Sequence, residues 1–192
     1  MNEPPTVAVL PRPNFRKLRA FERSGYLGHL RSLSVDDRRA RFHTITSDDQ
    51  LARHAAGVNF TRTVFLGAFV EGVLVGVGEV ALGTKAEHEA EIAVSVGASF
   101  RGRGIGGELT RRVIRIAQNR GAHSVWMFCL PDNTAMRNIA RNLRGRLSFH
   151  QGTLDARLEL TPSTPLTRLE ESLEDGVGVA RSVSELVFGR VA

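Results

Sequence analysis

Polar and apolar residues alternate over residues 91–96, with Ile92, Val94 and Val96 on one face and Glu91, Ala93 and Ser95 on the other. That period of two predicts a strand. From Glu108 the rhythm changes, and Leu109, Val113, Ile116 and Ala117 recur at helical spacing. Between strand and helix run Arg101, Gly102, Arg103, Gly104, Ile105, Gly106 and Gly107. The glycines therefore fall at a helix N-terminus.

The same pattern reading extends along the chain. Residues 61–70 and 73–82 predict a hairpin turning at Glu71 and Gly72. Ahead of it, residues 6–10 predict an edge strand before Pro11 and Pro13. Residues 15–33 carry Leu18, Phe21, Leu27 and Leu30 at loosely helical spacing, broken near Gly25 and Gly28, and predict one or two short helices. Ser34 opens another turn, and Ser47, Asp48, Asp49 and Gln50 form a cap for a helix reaching about Ala56. Beyond the central helix Gly121 is a stop, and residues 124–130 form an apolar run of the kind buried on both faces of a sheet. Residues 134–143 predict a helix, and 147–150 with 154–160 predict a closing pair of strands. The expected order is strand, two helices, three strands, helix, strand, helix, two strands. A linker at 161–165 divides a domain of residues 1–160 from an extension of residues 161–192. In the extension Leu166, Leu169, Leu173, Ala180, Val183 and Val187 share one helical stripe, interrupted by Gly176 and Gly178. That stripe has two readings, packing on its own domain or contact with a second copy.

Glycines at a helix start let successive backbone N–H groups point into one concavity, where the helix dipole and two guanidinium groups also favour an anion. Three phosphate loops compete for the pattern. A Walker loop ends in Gly-Lys-Ser/Thr, and Gly106, Gly107 and Glu108 exclude it. Gly102, Gly104 and Gly107 satisfy the bare dinucleotide fingerprint, with Asp132 roughly where a ribose-binding acid belongs, about 20 residues on. That fingerprint follows its strand directly, whereas residues 97–101 intervene here. The third pattern is Arg/Gln-x-x-Gly-x-Gly/Ala after an alternating strand, met by Arg101, Gly104 and Gly106. In this the sequence resembles the GNAT acyltransferase superfamily.

The resemblance implies an α/β (α+β) fold, a mixed central sheet flanked by helices. It implies acetyl-CoA as co-substrate, with residues 101–107 on its pyrophosphate and Val94, Ser95 and Val96 of a splayed strand bonding the pantetheine arm. Asn133 matches an asparagine that touches the arm in many members; capping the next helix is the alternative, and the two are compatible. The run Ala90, Glu91, Ile92, Ala93, Val94 is similar to one in bacterial protein-lysine acetyltransferases, where the glutamate is the general base. An amine of pKa near 10.4 is unprotonated in only about one molecule in a few thousand at pH 7, so a base is useful. Glu91 precedes Val96 by about 17 Å of strand at roughly 3.3 Å per residue, comparable to an extended pantetheine arm. The bland reading makes Glu91 a solvated strand-face residue like Glu87 and Glu89. Where the family often carries a tyrosine as acid for the leaving thiolate, this chain has Ala140.

With 192 residues, 42% hydrophobic and 24% charged, the chain sustains one globular domain plus a short extension. Its net charge of +6 invites nucleic acid as a partner. Of the 26 basic residues, only Lys17 and Lys85 are lysines, the arginines are scattered outside 137–146, and aromatics are too few for a stacking platform. Nucleic acid is accordingly discounted. The lone Cys129 falls in an apolar run as core filler, the six histidines show no ligand spacing, and no metal is expected. The N-terminus lacks a signal pattern and Glu79 interrupts the most apolar stretch, so no membrane span and a cytoplasmic location are expected. The functional expectation is an N-acetyltransferase acting on a primary amine, either a protein lysine or a small molecule. The rivals are a non-catalytic acyl-CoA sensor and a dinucleotide-binding protein.

Overall fold

Glu71 and Gly72 both adopt positive φ, 50° and 77°, and fold the longest apolar stretch back on itself as the hairpin of β2 (Thr63–Val70) and β3 (Val73–Leu82). Primed turns of this kind match the twist of the strands they join. In the computed structural model, which describes residues 11–83, 88–143, 145–150 and 152–187, this hairpin sits inside a seven-stranded mixed sheet. The other strands are β1 (Asn14–Lys17), β4 (Glu89–Val96), β5 (Ser124–Cys129), β6 (Arg146–His150) and β7 (Thr153–Glu159). The sheet order is β1-β2-β3-β4-β5-β7-β6, with β4 and β5 parallel and every other pair antiparallel.

Among the described residues six α-helices accompany the sheet: α1 (Arg23–Ser32), α2 (Val35–Phe42), α3 (Asp48–Gly57), α4 (Ile105–Asn119), α5 (Thr134–Asn142) and α6 (Pro165–Val187). The strand expected at 6–10 lies outside the described residues. The sequence reading departs from the structure in the segment read as helical, whose start is occupied by β1. The exposed edge of β2 supplies partners for 14–17, with Asn14 opposite Phe69 and Lys17 opposite Leu66, and that pairing overrides the weak local period. Ser34 opens a whole helix instead of a turn. Its Oγ accepts from Asp37 N at 3.1 Å, and Asp36 and Asp37 at the start with Arg39 and Arg41 at the end suit the helix dipole.

The sheet separates two cores. On one face α4 lays Leu109, Val113, Ile116 and Ala117 against Val80, Ile92 and Val125. On the other, Tyr26 and Leu30 of α1 and Leu51 and Ala55 of α3 pack on Phe65, Phe69 and Val77. Gly76 and Gly78 allow α4 to approach β3 closely: a Cβ on Gly78 would lie 2.7 Å from Val113 Cγ1, and one on Gly76 would lie 3.1 Å from Leu109 Cδ1. β5 is not buried on both faces as expected. Trp126 and Phe128, which share one face of the strand, are only half-buried.

Gly78→Val should overpack the α4 contact and cost about 2–3 kcal/mol. At roughly 2–4 °C per kcal/mol for a chain of this size, thermal unfolding should fall by about 5–10 °C. A melting curve unchanged from wild type would show that α4 does not sit this close.

Candidate functional site

β4 and β5 lie side by side over only three residue pairs, Glu89 with Ser124, Ala90 with Val125 and Glu91 with Trp126. Beyond Glu91 the strands part. β3 holds β4 as far as Val96, and β7 holds β5 as far as Cys129, so each half of the sheet stays intact while the gap opens. The closed end is pinned by Glu89, whose carboxylate accepts from Ser124 Oγ at 3.2 Å, Trp126 Nε1 at 3.0 Å and Arg157 Nη2 at 3.1 Å. Glu89 is therefore no idle surface carboxylate, contrary to the bland sequence reading.

A cavity of about 380 Å³ opens into the gap. Ala93, Val94, Ser95 and Val96 of β4 line one side, and Phe128, Asn133, Met136 and Ile139 line the other. Arg101, Gly102, Gly104, Ile105, Gly106 and Gly107 form one end, and Asp37, Ala40 and Arg41 of α2 lean over it. Two residues expected at the site stand apart. Glu91 is exposed at the fork of the strands, one same-face position beyond Ala93, and does not line the cavity. Arg103 turns its guanidinium over the Phe100 ring, 5.2 Å from the centroid, and also lies outside the lining.

The loop has the conformation that its glycines permit. Gly102 and Gly104 adopt φ of 73° and 76°, and Gly104 caps α4 with no side-chain hydrogen bond. The first bond of the helix at this end runs from Glu108 N to Gly104 O at 3.0 Å. The N–H groups of Ile105, Gly106 and Gly107 precede it, in the turn that has no carbonyl partners of its own. These donors and the positive end of a 15-residue helix face the cavity rim. Arg101 adds a guanidinium, whose Nε donates to Val96 O at 3.3 Å while its Nη2 pairs with Asp37 across the rim. Burial pushes the Asp37 carboxyl up, but the Arg101 guanidinium and Ser34 hold it below its ordinary range.

On the far side of the sheet from α4, the face carrying Glu91, Ala93 and Ser95 meets a buried polar network that the sequence did not disclose. Glu79, opposite Ala93, accepts from Tyr26 Oη at 3.0 Å and pairs with Arg41 Nη2 at 2.6 Å. Tyr26 Oη also meets His54 Nε2 at 3.0 Å. Burial opposes charge on Arg41, and the Glu79 carboxylate more than offsets it; burial and the same carboxylate push the Tyr26 phenol far up. The signal available in the sequence was Glu79 itself, since a carboxylate inside an apolar strand requires a partner. Beside this network His29 Nε2 meets Ser95 Oγ at 2.9 Å. Burial, outweighing the pull of Glu79, drives the His29 pKa down to about 4.

Asn133 serves as a cap and as cavity wall together: its Oδ1 accepts from Met136 N at 3.1 Å at the start of α5. Ala140 is buried in the core and faces away from the cavity, which α5 lines through Ala135, Met136 and Ile139. Cys129 is buried, and burial pushes its thiol up. His88 and His123 stack with ring centroids 4.6 Å apart, away from the cleft lining. Among the described residues no group of three or more His, Cys, Asp or Glu is placed to hold a metal ion, and no helix is long and apolar enough to cross a membrane.

Residues 27–145, from α1 through α5, match the model of the acetyltransferase (GNAT) family. The chain belongs to that family. Solved structures share its fold at low sequence identity. The GNAT domain of S. lividans PAT superposes with a TM-score of 0.67 at 20% identity, covering 77% of this chain and 90% of that one. YncA from Salmonella typhimurium, solved with its cofactor acetyl-CoA, gives 0.61 at 14% identity, covering 80% and 96%. PaiA N-acetyltransferase from Thermoplasma acidophilum, in complex with coenzyme A, gives 0.59 at 14%, covering 77% and 99%. The GNAT match ends before β6, so α6 lies outside it.

A histidine whose proton affinity is lowered by folding leaves the unfolded chain to bind the proton first as pH falls. Stability from His29 is therefore complete above about pH 6.5 and drains away towards pH 4, by up to about 3 kcal/mol over that span. His54, whose pKa burial also lowers, acts in the same direction. Denaturant titrations of wild type and His29→Gln between pH 7 and 5 should show a shallower pH slope in the variant. Equal slopes would mean that His29 is not held neutral in the folded chain.

Proposed function

We propose that this GNAT protein is an acetyl-CoA-dependent N-acetyltransferase in which a primary amine, of a protein lysine or a small molecule, attacks the thioester directly. The observation that carries the reading is the alignment of three features along one gap. A cradle of free N–H groups stands at its wide end, unpaired strand backbone runs along its side, and a carboxylate with no ion pair among the described residues stands at its fork. The loop residues fit a diphosphate: Gly104 to Gly107 supply the helix start and Arg101 the mobile charge, which exchanges Asp37 for a phosphate oxygen. Arg103, turned onto Phe100, adds to the field at the rim. Val94, Ser95 and Val96 offer backbone groups to the amide-containing arm, and Asn133 faces them across the gap.

With the phosphates at the loop, the arm leads the thioester past Ala93 towards Glu91. Glu91 accepts a proton from the attacking amine as the C–N bond forms. The tetrahedral oxyanion is met by a strand N–H of 94–96, and collapse breaks the C–S bond. With Ala140 buried and Tyr26 committed to Glu79, the thiolate takes its proton from water, as a thiol of pKa near 8.5 permits. Glu79 is not an alternative base, because Arg41 and Tyr26 occupy its two oxygens. The run 90–94, similar to one in bacterial protein-lysine acetyltransferases, favours a protein lysine as acceptor.

Glu91→Gln should lower thiol release from acetyl-CoA by roughly 10²–10³ at pH 7, with the deficit shrinking as pH approaches the amine pKa. Its thermal stabilisation by acetyl-CoA should match wild type, and NAD should stabilise neither. Full activity in the variant at neutral pH would remove Glu91 from the mechanism. A wild type stabilised by acetyl-CoA yet releasing no thiol with any amine or lysine peptide would leave a sensor in place of an enzyme.

A further inference from the structure

The helix α6 is amphipathic the wrong way round for a helix that merely packs on its own domain. Its polar side faces inward: Glu171 is buried and takes Lys17 Nζ at 2.8 Å and Asn119 Nδ2 at 2.8 Å, and Glu174 meets Arg115 at 3.0 Å. Gly178 seats against β1, where a Cβ would lie 2.1 Å from Phe15 O, and Asn14 Nδ2 donates to Gly178 O at 2.9 Å. The apolar side faces out. Eight leucines and valines of α6, among them Leu166, Leu169, Leu173 and Val183, are 37% to 88% exposed.

We infer that this stripe is a self-association surface, and that its occupant is α6 of a second copy of the same chain. Three observations select a second copy. First, the outward positions Leu166, Leu169, Leu173, Gly176, Ala180, Val183 and Val187 alternate by three and four residues without a break, the seam that pairs two helices. Second, the small pair Gly176 and Ala180 stands at the centre of the seam, with three leucines before it and two valines after it, and Gly176 is the middle residue of Pro165–Val187. A two-fold axis there lays bulky ends against bulky ends and lets the two backbones approach at the centre, as an isologous contact requires. Third, Gly176 has no reason to be glycine within its own chain. A Cβ there would meet nothing within 4 Å, and φ is not positive, although glycine weakens a helix interior.

The area is sufficient. The five leucines and valines of the seam, 55% to 63% exposed, present on the order of 500 Å² per copy, so paired stripes remove about 1,000 Å² before the flanking Val177, Val179 and Leu186 are counted, the size at which a specific interface begins. The helix packs on β1, none of its residues lines the cleft, and the inference does not depend on the chemistry proposed there.

Light scattering of the 192-residue chain across a concentration series should give twice the 21.0 kDa of one chain. Two exposed substitutions should return it to a single chain with an unchanged circular dichroism spectrum: Leu173→Asp, which charges the seam, and Gly176→Leu, which improves helix propensity but blocks the crossing. Gly176→Cys should cross-link to itself with a short bismaleimide, while Cys129 of wild type, being buried, does not. The monomer mass for wild type at about 100 µM, or a dimer that survives both substitutions, would overturn the inference. So would wild type that remains monomeric and floats with anionic vesicles, since the occupant would then be a lipid surface.

Discussion

The separation of β4 from β5 is the constraint on which the site depends. Parallel neighbours ordinarily bond along their length, and interrupting that ladder exposes backbone groups that need partners. Here the ladder stops after Glu91 because each strand is held more firmly by its other neighbour: β4 by β3 over seven residue pairs, and β5 by β7 over six. The three-way clasp of Glu89 fixes where the opening begins, and Met136 and Ile139 of α5 stand inside the wide end. A gap built this way is narrow and apolar on its walls and hydrogen-bonding along its β4 side. That suits an extended chain with amide groups better than a compact ligand.

The polar network beneath the open face does a different job. Glu79, Arg41, Tyr26 and His54 are all at least partly withdrawn from water, and a buried ion pair of this kind contributes little net stability against an apolar replacement of the same shape. What it supplies is position. Arg41 is the last basic residue of α2, and its bond to β3 ties the C-terminal end of that helix across the sheet while Asp37, one turn earlier, bridges to Arg101. Helix α2 is thus held at both ends by charge, with Asp37 at the phosphate end and Arg41 beside the middle of β4. Its packing surface is otherwise slight, since none of its residues is fully buried.

Much of this was legible from pattern, and the exceptions share a cause. The hairpin, the central strand, the loop and α4 follow from alternation, helical period and glycine placement, all of which act between residues close in sequence. The loop glycines were legible for the same reason: positive φ at Gly102 and Gly104 is a local demand. The misses were set by distant residues. β1 exists because β2 offers an edge, and Glu89 is a clasp only because Ser124, Trp126 and Arg157 arrive from other strands. Trp126 and Phe128 looked doubly buried because hydrophobicity cannot tell a covered face from the wall of a cleft.

The reversed polarity of α6 follows from what it covers. β1 is the outermost strand on its side of the sheet, and an edge strand presents N–H groups that an apolar helix face cannot satisfy. Lys17 N donates to Asp175 Oδ1 at 3.0 Å, a side chain standing in for the missing eighth strand. Around it the excess of arginine finds its use: Arg112 and Arg115 of α4 and Arg120 just past its end face Glu170, Glu171 and Glu174 along α6. Once the edge and the basic flank of α4 had been matched by acids, the remaining side of a helix with this many leucines and valines had to be the apolar one. The sequence stripe was therefore a true signal whose direction only the sheet edge determined.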